Sequence, residues 1–572
     1  MPEITPLRVF FLCWISFFVL FWSKALFIDA TGNLVAGHPI IWADWAAHLT
    51  MTNAIAQRGI NIASPLVIGE PFRYPFMINA VSAVLIRLGV GLIPAMVMPS
   101  FLSSIFLLFA LVWWFRILLK SDSKAMLATT FFFFSGGLGF VYALKDISVV
   151  WQQAELPWYT FLAQTSQSYT YHEKFSVVAI NVIHGMIIPQ RAFSLGVAVA
   201  LIGLTLILRW WRSEQNIKRF EKSWWQLMAA GVLFGFLPLI HTHSFIAVFC
   251  ILSCWAIVSL VQKQLKKLLG WMLIAGITTV IALPQLIYLQ VFTEFTNTTI
   301  GSSATSIRIG WMASDFSMNW IVFSLLNWGV VLPLAALSLG MLRKEKLALE
   351  TLPFWVLFIA ANLVSFQPSI WDNTKLLIWA YIGFCGLAAT SIAQLISQQA
   401  RQKKYILRVK VAFVIGVFLA MLAVASGSLD LYRILRHDLH KQQLASTQDL
   451  ELAQWVKKNT PKESIWLTGN WHTHWLFTLT GRQAVLTYPG WVWTHGYSYQ
   501  EQEMLTRNIY EGASVNPVNL QKYGITHIVV GPYERQQFRV NPIWNSDNPS
   551  TFVELLYETK TTRIFVVKSS ML

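Results

Sequence analysis

The feature that most constrains this chain is a series of apolar segments, each about 20 residues long, separated by short polar turns. A segment of that length crosses the hydrocarbon core of a bilayer as an α-helix. Only 12% of the 572 residues are charged and 55% are hydrophobic, whereas a soluble domain carries about 25% charged residues. The sequence therefore predicts a multi-pass membrane protein rather than a soluble globular chain.

The apolar segments are spread over the first three quarters of the chain and predict about eleven transmembrane helices. They begin near Leu7, Gly91, Ala125, Pro189, Trp224, Ser244, Leu268, Asn319, Leu352, Thr374 and Val411. The first, from about Leu7 to Ile28, is longer than the apolar core of a signal peptide, so we expect a retained anchor. A further apolar stretch, Pro75 to Gly89, is short for a crossing and is predicted to lie in the outer interface.

The formal net charge of +16 indicates the orientation of the helices. Most of the excess lies in short basic clusters between apolar segments, and such clusters face the cytoplasm, so the charge reflects topology rather than nucleic-acid binding. The clusters comprise Arg116, Lys120 and Lys124; Arg209, Arg212, Lys218, Arg219 and Lys222; Lys263, Lys266 and Lys267; Arg343, Lys344 and Lys346; and Arg401, Lys403, Lys404, Arg408 and Lys410. With these clusters inside, the N-terminus is cytoplasmic, and residues 29–90 and 145–188 form the first and second outer loops.

The last part of the chain differs in composition and predicts a small α/β domain over residues 429–572. Short strand-like runs, "SIWLTG", "THIVVG" and "RIFVVK", alternate with helical patterns around Asp449–Lys458 and Tyr499–Tyr510. The predicted fold class is therefore an all-α polytopic membrane bundle over residues 1–428, followed by this C-terminal α/β domain on the extracytoplasmic side.

The stretch "IIWADWAAHL" follows the first apolar segment and places two ionisable residues in the first outer loop. Asp44 and His48 are four positions apart, so they share one face of a helix. Asp44 is a candidate general base, and the pair is also a candidate for binding a divalent metal. Alternatively, both residues face water from an interfacial helix.

Two further stretches place arginines on the same predicted face. "GEPFRYPF" contains Arg73, which fits a phosphate contact or an interfacial anchor, and Tyr74, which leads into the next apolar segment. In "HGMIIPQRAFSLG", Gln190 and Arg191 follow a proline that fits the start of a helix. Arg191 at such a start suits an anionic ligand, and snorkelling to the interface is the alternative.

The remaining candidates are histidines and a charged helix start. His241 and His243, in "LPLIHTHSF", can contact a sugar or a phosphate, and they are a weak metal pair because no clear third ligand accompanies them. In "FQPSIWDNTKLLIW", Lys375 can meet a lipid phosphate, or it can form an ion pair with Asp372 at the start of the helix. Further polar candidates in the outer loops are Asn373, His172 and His184.

Together these residues resemble the C-type glycosyltransferase superfamily of integral membrane enzymes. That superfamily places a catalytic Asp in the first outer loop, where Asp44 stands in "WADWAAHL", and "FRYPFMINAVSAVL" is similar to the helix-opening element of its loop. "PQRAFSLG", "HTHSF", "WDNTK" and the C-terminal region are similar to a bacterial branch of the superfamily. The chain lacks the WWDYG signature of oligosaccharyltransferases and has one acid in "WADW", where several relatives have two.

The resemblance implies inverting transfer of a sugar from a polyprenyl-phosphate-linked donor to an acceptor at the outer face of the plasma (inner) membrane. Asp44 would then be the general base on the acceptor hydroxyl, which belongs to a glycan, a lipid or a protein. Arg191 and Lys375 would hold the lipid phosphate, with Arg73 as a further candidate. The resemblance assigns donor or acceptor contacts to His48, His241 and His243, and sugar or Lys375 contacts to Asp372 and Asn373. No cofactor is assigned, and a divalent metal is not favoured.

Two other classes of protein compete with this interpretation. A transporter or a flippase of lipid-linked saccharides places ionisable groups near the bilayer midplane and often contains internal repeats. Here the polar groups gather at one predicted face and no repeat is evident in the sequence. A non-catalytic membrane assembly protein would have a degenerate site, and the presence of Asp44, Arg191 and Lys375 argues against it.

Overall fold

The computed structural model describes residues 5–38, 41–60, 63–153, 157–165, 167–213, 224–289, 306–341, 346–366, 369–401, 406–436 and 441–568. The chain divides into two compact units. One, which we call the helical unit, comprises Met1–Ser23 and Ser100–His440. The other, which we call the sheet unit, comprises Lys24–Pro99 and Lys441–Leu572.

Long apolar helices dominate the described chain, as the sequence predicts for a multi-pass membrane protein. Seven helices in the described ranges are long and apolar enough to cross a membrane: Leu92–Leu119, Arg191–Arg212, Thr242–Val261, Leu265–Tyr288, Lys346–Leu363, Ile370–Ser397 and Leu407–Leu435. The helices Trp320–Trp328 and Val331–Gly340 form an eighth span if the pair, bent by 106°, counts as one. The apolar helices Pro6–Trp22, Met77–Arg87 and Trp224–Ile240 are shorter. The number of eleven crossings and their orientation stay predictions.

The apolar segment that begins near Ala125 is interrupted by close backbone packing. The helix Asp122–Phe133 ends before the glycine-rich stretch at residues 135–139, and a new helix, Phe140–Gln153, follows it. The backbone N–H of Leu138 donates to the carbonyl of Leu326 at 2.7 Å. A Cβ added to Gly137 would lie 1.9 Å from the same oxygen, so only glycine permits this approach. Tertiary contact thus divides what the sequence presents as one apolar segment.

The other elements of the helical unit are short. A helix covers Trp158–Gln164, single turns of 3-10 helix cover Glu173–Phe175, Ala313–Phe316 and Ile370–Asn373, and a π-helical turn covers Ile183–Ile187. Two short strands, Ser306–Ile307 and Val364–Ser365, pair with each other in antiparallel fashion. The π-helical turn leads directly into the long helix that begins at Arg191, so it sets where that helix starts.

The sheet unit contains two sheets, whose strands we number within this unit in chain order. The strands are β1 (Leu26–Ile28), β2 (Leu34–Ala36), β3 (Gln442–Ala445), β4 (Ile465–Leu467), β5 (Gln483–Ala484), β6 (His527–Val530), β7 (Val553–Glu558) and β8 (Arg563–Val567). The smaller sheet has the antiparallel order β1-β2-β3, and the larger has the order β5-β4-β6-β8-β7. In the larger sheet β4 is parallel to β5 and β6, and the other pairs are antiparallel.

The strands and helices predicted in the C-terminal region are confirmed. The three strand-like runs contain β4, β6 and β8, and the two helical patterns form Thr447–Asn459 and Gln500–Glu511. The unit's other helices are Ile41–Arg58, Met77–Arg87, Trp475–Thr480, Pro489–Thr494, Pro517–Lys522 and Pro532–Gln537, and Pro542–Asn545 is a 3-10 turn. Apolar side chains from β4, β6, β7, β8, the helix Gln500–Glu511 and the 3-10 turn, including Leu467, Ile528, Trp544 and Phe565, form one buried core.

Long-range hydrogen bonds join the first outer loop to the C-terminal residues within the sheet unit. Strand β2 pairs with β3. The side-chain amide of Asn53 donates to the carbonyl of Thr478 at 2.8 Å, and Arg58 donates to the side chain of Gln483 at 2.9 Å. Contacts therefore group residues 24–99 with residues 441–572, whereas the sequence pattern places the loop with the membrane domain that ends at residue 428.

Candidate active site

Asp44 lies in the first turn of the helix Ile41–Arg58, where a negative charge is favourable because it faces the positive end of the helix dipole. Its side chain is half-buried. One turn later, His48 is buried, and its Nδ1 lies 3.1 Å from the Oδ1 of Asn79. The predicted i, i+4 pair is therefore realised on a helix, but the two side chains differ: His48 is held by internal packing, while Asp44 keeps partial exposure.

Tyr74 lies beside His48 in the sheet unit. Its ring centroid is 6.2 Å from that of His48 and 5.0 Å from that of His495, which belongs to the C-terminal part of the chain. Arg73, the preceding residue, lies 3.6 Å from the Glu70 carboxylate and 5.5 Å above the ring of Tyr497. Tyr74 thus lies between two histidine rings, and Arg73 lies beside a carboxylate and a tyrosine ring.

Arg191 is the first residue of a 22-residue helix in the helical unit. Its side chain is 1% exposed, and its Nε donates to the Oγ of Ser100 at 3.0 Å. The half-buried Gln190 is the N-cap, so the first turn of the helix begins beside a buried guanidinium. A helix start with a buried cation is a favourable place for an anion.

His241 packs against the Arg191 helix. A Cβ added to Gly196 would lie 2.3 Å from the Cβ of His241, so glycine is required for this approach. The His241 ring contacts Phe193 edge-on, with centroids 5.7 Å apart, and its Nδ1 lies 2.7 Å from the Oγ of Ser244. The rings of His241 and His243 are 5.5 Å apart and both residues are buried. The structure thus brings the two histidines together at the start of the helix Thr242–Val261.

Lys375 enters the same neighbourhood from the helix Thr374–Arg401. Its ammonium lies 2.8 Å from the Oδ1 of Asp372, so the ion pair at the helix start is present. On the same helix, the Nε1 of Trp379 donates to the Oγ of Ser244 at 3.2 Å, so this helix packs against the turn that contains His241. Asn373 is buried, and its amide bonds to the backbone of Ala361, Val364 and Phe366, which gives it an internal role in shaping the turn. Pro368, in the same turn, lies outside the described residues.

The other two candidate histidines lie in residues 145–188, the predicted second outer loop. The ring of His172 stacks on Phe175 with centroids 4.4 Å apart. His184 is buried in the π-helical turn, and its Nδ1 lies 3.9 Å from the Oδ2 of Asp430. Single π-helical turns recur at functional sites because they redirect side chains.

Asp430 and Arg433 form a buried charged cluster that the sequence analysis misses. The Asp430 carboxylate accepts hydrogen bonds from the hydroxyls of Ser168 and Thr170 at 2.5 Å and from the backbone N–H of Tyr169 at 2.8 Å. Arg433 lies 3.7 Å from it, and both side chains are buried. The sequence did contain an indication of this cluster, because Asp430 and Arg433 are one helical turn apart in an apolar segment. Ionisable residues in such a segment usually face the interior of the helix bundle.

The candidate residues are divided between the two units. Asp44, His48, Arg73 and Tyr74 belong to the sheet unit. The helical unit contains His172, His184, Gln190, Arg191, His241, His243, Asp372, Asn373 and Lys375. Among the residues that the structure describes, no group of three or more His, Cys, Asp or Glu side chains is arranged to hold a metal ion.

Comparisons of the chain with known proteins show similarity in structure. No protein-family model and no curated protein matches the sequence. The structure matches ArnT from Cupriavidus metallidurans, solved with undecaprenyl phosphate bound, with a TM-score of 0.52 and 10% identity over 100% of this chain and 99% of that one. It also matches the apo oligosaccharyltransferase of Archaeoglobus fulgidus, with a TM-score of 0.52 and 8% identity over 91% and 69% of the two chains. At these identities the similarity concerns the fold.

Proposed function

Because the chain has the fold of the C-type glycosyltransferases, we propose that it is a membrane enzyme that transfers a sugar from a polyprenyl-phosphate-linked donor to an acceptor hydroxyl. The observation that carries the proposal is the group of cationic and polar side chains around Arg191. The buried Arg191 guanidinium begins a long helix that packs against His241, the His241 ring lies beside that of His243, and Lys375 belongs to the same helical unit.

This group suits the leaving group of such a reaction. When the bond between the anomeric carbon and the phosphate oxygen breaks, the lipid phosphate gains negative charge. Arg191 and Lys375 would stabilise that charge, since prearranged cations act strongly in a site that excludes water. The ion pair between Lys375 and Asp372 holds the ammonium before the donor binds.

Asp44 is the proposed general base. Its carboxylate would take the proton from the acceptor hydroxyl as that oxygen forms its bond to the anomeric carbon. Attack on the face opposite the departing phosphate inverts the anomeric configuration. The placement of Asp44 in the first turn of a helix, with partial exposure, supports this role because the helix dipole favours a negative charge there and the side chain is not fully buried.

The proposed reaction takes place on the extracytoplasmic side of the plasma membrane. The basic clusters of the sequence support this orientation, because they favour cytoplasmic placement of the turns opposite the outer loops. The donor is a polyprenyl-phosphate sugar, and the acceptor hydroxyl belongs to a glycan, a lipid or a protein.

Binding of undecaprenyl phosphate to the purified full chain tests the phosphate site. We expect Arg191→Gln to weaken binding at least tenfold and Arg191→Lys, which keeps the charge, to weaken it less. Arg308→Gln is the matched control, because Arg308 is an exposed arginine of the same unit that pairs with Asp315. Undecaprenol, which lacks the phosphate, should bind more weakly than undecaprenyl phosphate. Equal binding of the two lipids by the unaltered protein would overturn the proposal.

A further inference from the structure

Strands β4 and β6 are parallel neighbours near the centre of the larger sheet. After β4 the chain continues to β5 on one side, and beyond β6 it continues to β7 and β8 on the other side. The segment that follows β4 and the segment that follows β6 therefore lead to opposite edges of the sheet, starting from the carboxyl ends of these two strands. In open α/β sheets such a point forms a crevice in which ligands bind.

The loops at this crevice are fixed by buried hydrogen bonds. The Glu534 carboxylate accepts from the backbone N–H groups of Gly469, after β4, and Gly531, after β6, at 2.7 Å each. The Nε2 of His474 lies 2.7 Å from the same carboxylate, and both side chains are fully buried. The side chain of Gln537 accepts from the N–H of Asn470 at 2.9 Å. The backbone around Asn470 is therefore held in place before any ligand arrives.

Asn470 carries an unsatisfied amide at the carboxyl end of β4. The residue is 2% exposed, and neither its Nδ2 nor its Oδ1 has a hydrogen-bond partner within the part of the chain that the structure describes. The same holds for the hydroxyl of Thr468, two residues earlier. A buried polar group without a partner destabilises the fold, so its presence calls for an explanation such as a bound molecule. An amide supplies one donor and one acceptor side by side, which matches neighbouring hydroxyls on a sugar ring.

Aromatic side chains follow Asn470 along the chain, and two of those in contact with one another reach the surface. Trp471 follows Asn470 and is 48% exposed, and its ring lies 5.1 Å from that of His472. The His472 ring is 5.6 Å from Tyr488, which is 38% exposed. Flat aromatic faces pack against the C–H faces of sugar rings, and the hydroxyls of the sugar then point to polar groups at the edge.

The charges near Asn470 favour a neutral ligand. Burial lowers the pKa of His472 to about 4, so its ring is uncharged at neutral pH. The Glu534 carboxylate is already paired with His474. The amide of Asn470, the hydroxyl of Thr468 and the aromatic rings suit a neutral polar molecule better than an anion.

We propose that the carboxyl ends of β4 and β6 form a binding site for a neutral sugar ring, with Asn470 bonding to its hydroxyls and Trp471 and Tyr488 stacking on it. The assignment of this sugar to the acceptor rests on the proposed sugar transfer. The binding of a sugar at this site does not depend on that proposal.

Saturation-transfer difference NMR of the purified full chain with maltotriose and with mannotriose tests the site. We expect transfer from the unaltered protein to at least one of the two sugars. Asn470→Leu and Trp471→Ala should each weaken binding at least tenfold. Met504→Ala is the control, because Met504 is a 60% exposed apolar side chain of the same unit. Absence of transfer to both sugars in the unaltered protein overturns the proposal.

The thermal stability of Asn470→Leu separates a ligand site from a structural amide. Leucine has nearly the shape of asparagine and removes two unsatisfied polar atoms, so the unfolding temperature should stay the same or rise. A lower unfolding temperature with unchanged sugar binding would mean that Asn470 holds only an internal water, and it would overturn the proposal. The sugar-binding measurement requires neither the lipid-linked donor nor Asp44. Its outcome can therefore be interpreted even if the sugar-transfer proposal fails.

Discussion

Arg191 donates a hydrogen bond from its Nε to the Oγ of Ser100 at 3.0 Å, and both residues are buried. Arg191 begins the helix Arg191–Arg212, and Ser100 lies in a different long helix, Leu92–Leu119. The bond fixes the plane of the guanidinium and so determines where its other N–H groups can meet a phosphate. Ser100 is thus a positioning residue for the proposed donor site.

Removing the Ser100 hydroxyl should weaken donor binding without unfolding the chain. A hydrogen bond to a charged group contributes about 1.5–3 kcal/mol, so we expect Ser100→Ala to bind undecaprenyl phosphate roughly ten- to a hundredfold more weakly. Ser100→Thr, which keeps the hydroxyl, should restore binding. The matched control is Ser104→Ala, because Ser104 is a buried serine of the same helix that accepts from Trp22. An equal loss of affinity in Ser104→Ala would indicate a general packing effect.

Replacing the proposed base should abolish sugar transfer and leave the donor bound. General-base catalysis contributes about 10²–10⁴ in rate, so Asp44→Asn should lower kcat by at least a hundredfold while the affinity for undecaprenyl phosphate is unchanged. Asp122→Asn is the control, since Asp122 is also in the first turn of a helix and pairs with Arg116. Full activity in Asp44→Asn, measured as sugar released from the donor and joined to the acceptor, would contradict the assignment.

The orientation of the chain can be measured with single cysteines in a protein whose four natural cysteines are replaced. Ile60→Cys lies in the first outer loop and is 56% exposed, so an impermeant maleimide should label it from outside intact cells. Lys120→Cys lies in a basic cluster and should be labelled only after the cells are opened. The reverse pattern would invert the predicted topology.

The Asp430 carboxylate ties the second outer loop to the helix Ile406–Leu435. Removing one member of a buried pair costs about 3–5 kcal/mol because the other charge stays buried, so Asp430→Ala should strongly lower the unfolding temperature. The loop around Ser168 should also become sensitive to protease. Asp315→Ala is the control: its partner Arg308 is a third exposed, and such pairs contribute about 0–1 kcal/mol. Equal stability of the two variants would show that the Asp430 cluster does not anchor the loop.

The sheet unit should lose stability as the pH falls from 6.5 to 4. Burial, and to a lesser extent Arg482, lowers the pKa of His527 from 6.5 to about 4. Within this window the unfolded chain binds a proton that the folded chain excludes, so stability is complete above pH 6.5 and declines towards pH 4. At about 1.4 kcal/mol for each pKa unit, the loss approaches roughly 3 kcal/mol.

Thermal unfolding of the full chain at pH 7 and pH 5 measures this effect. His527→Phe keeps a ring that can stack on Trp466, as His527 does at 4.4 Å, but it cannot take up a proton. The drop in unfolding temperature between the two pH values should therefore be smaller in His527→Phe than in the unaltered protein. His472 titrates in the same window and accounts for part of the remaining drop. The same drop in both proteins would contradict the prediction.

The sequence by itself determined the elements whose cause is local. Apolar length predicted the long helices, because each must satisfy its backbone hydrogen bonds internally when it lies in lipid. Pro189 indicated where the Arg191 helix begins, and strand-like runs in the C-terminal region indicated β4, β6 and β8. The resemblance to the C-type glycosyltransferases was carried by short stretches such as "WADWAAHL", and the fold agrees with it.

Only the tertiary structure decided the features that depend on partners distant in sequence. The pairing of β2 with β3 joins the first outer loop to the C-terminal residues, and the approach of Leu326 to Gly137 divides an apolar segment into two helices. The Asp430 cluster and the unsatisfied amide of Asn470 likewise arise from long-range packing. The physical reason is common to all of them: periodicity records which side chains face away from water, but not which backbone or side-chain group each of them meets.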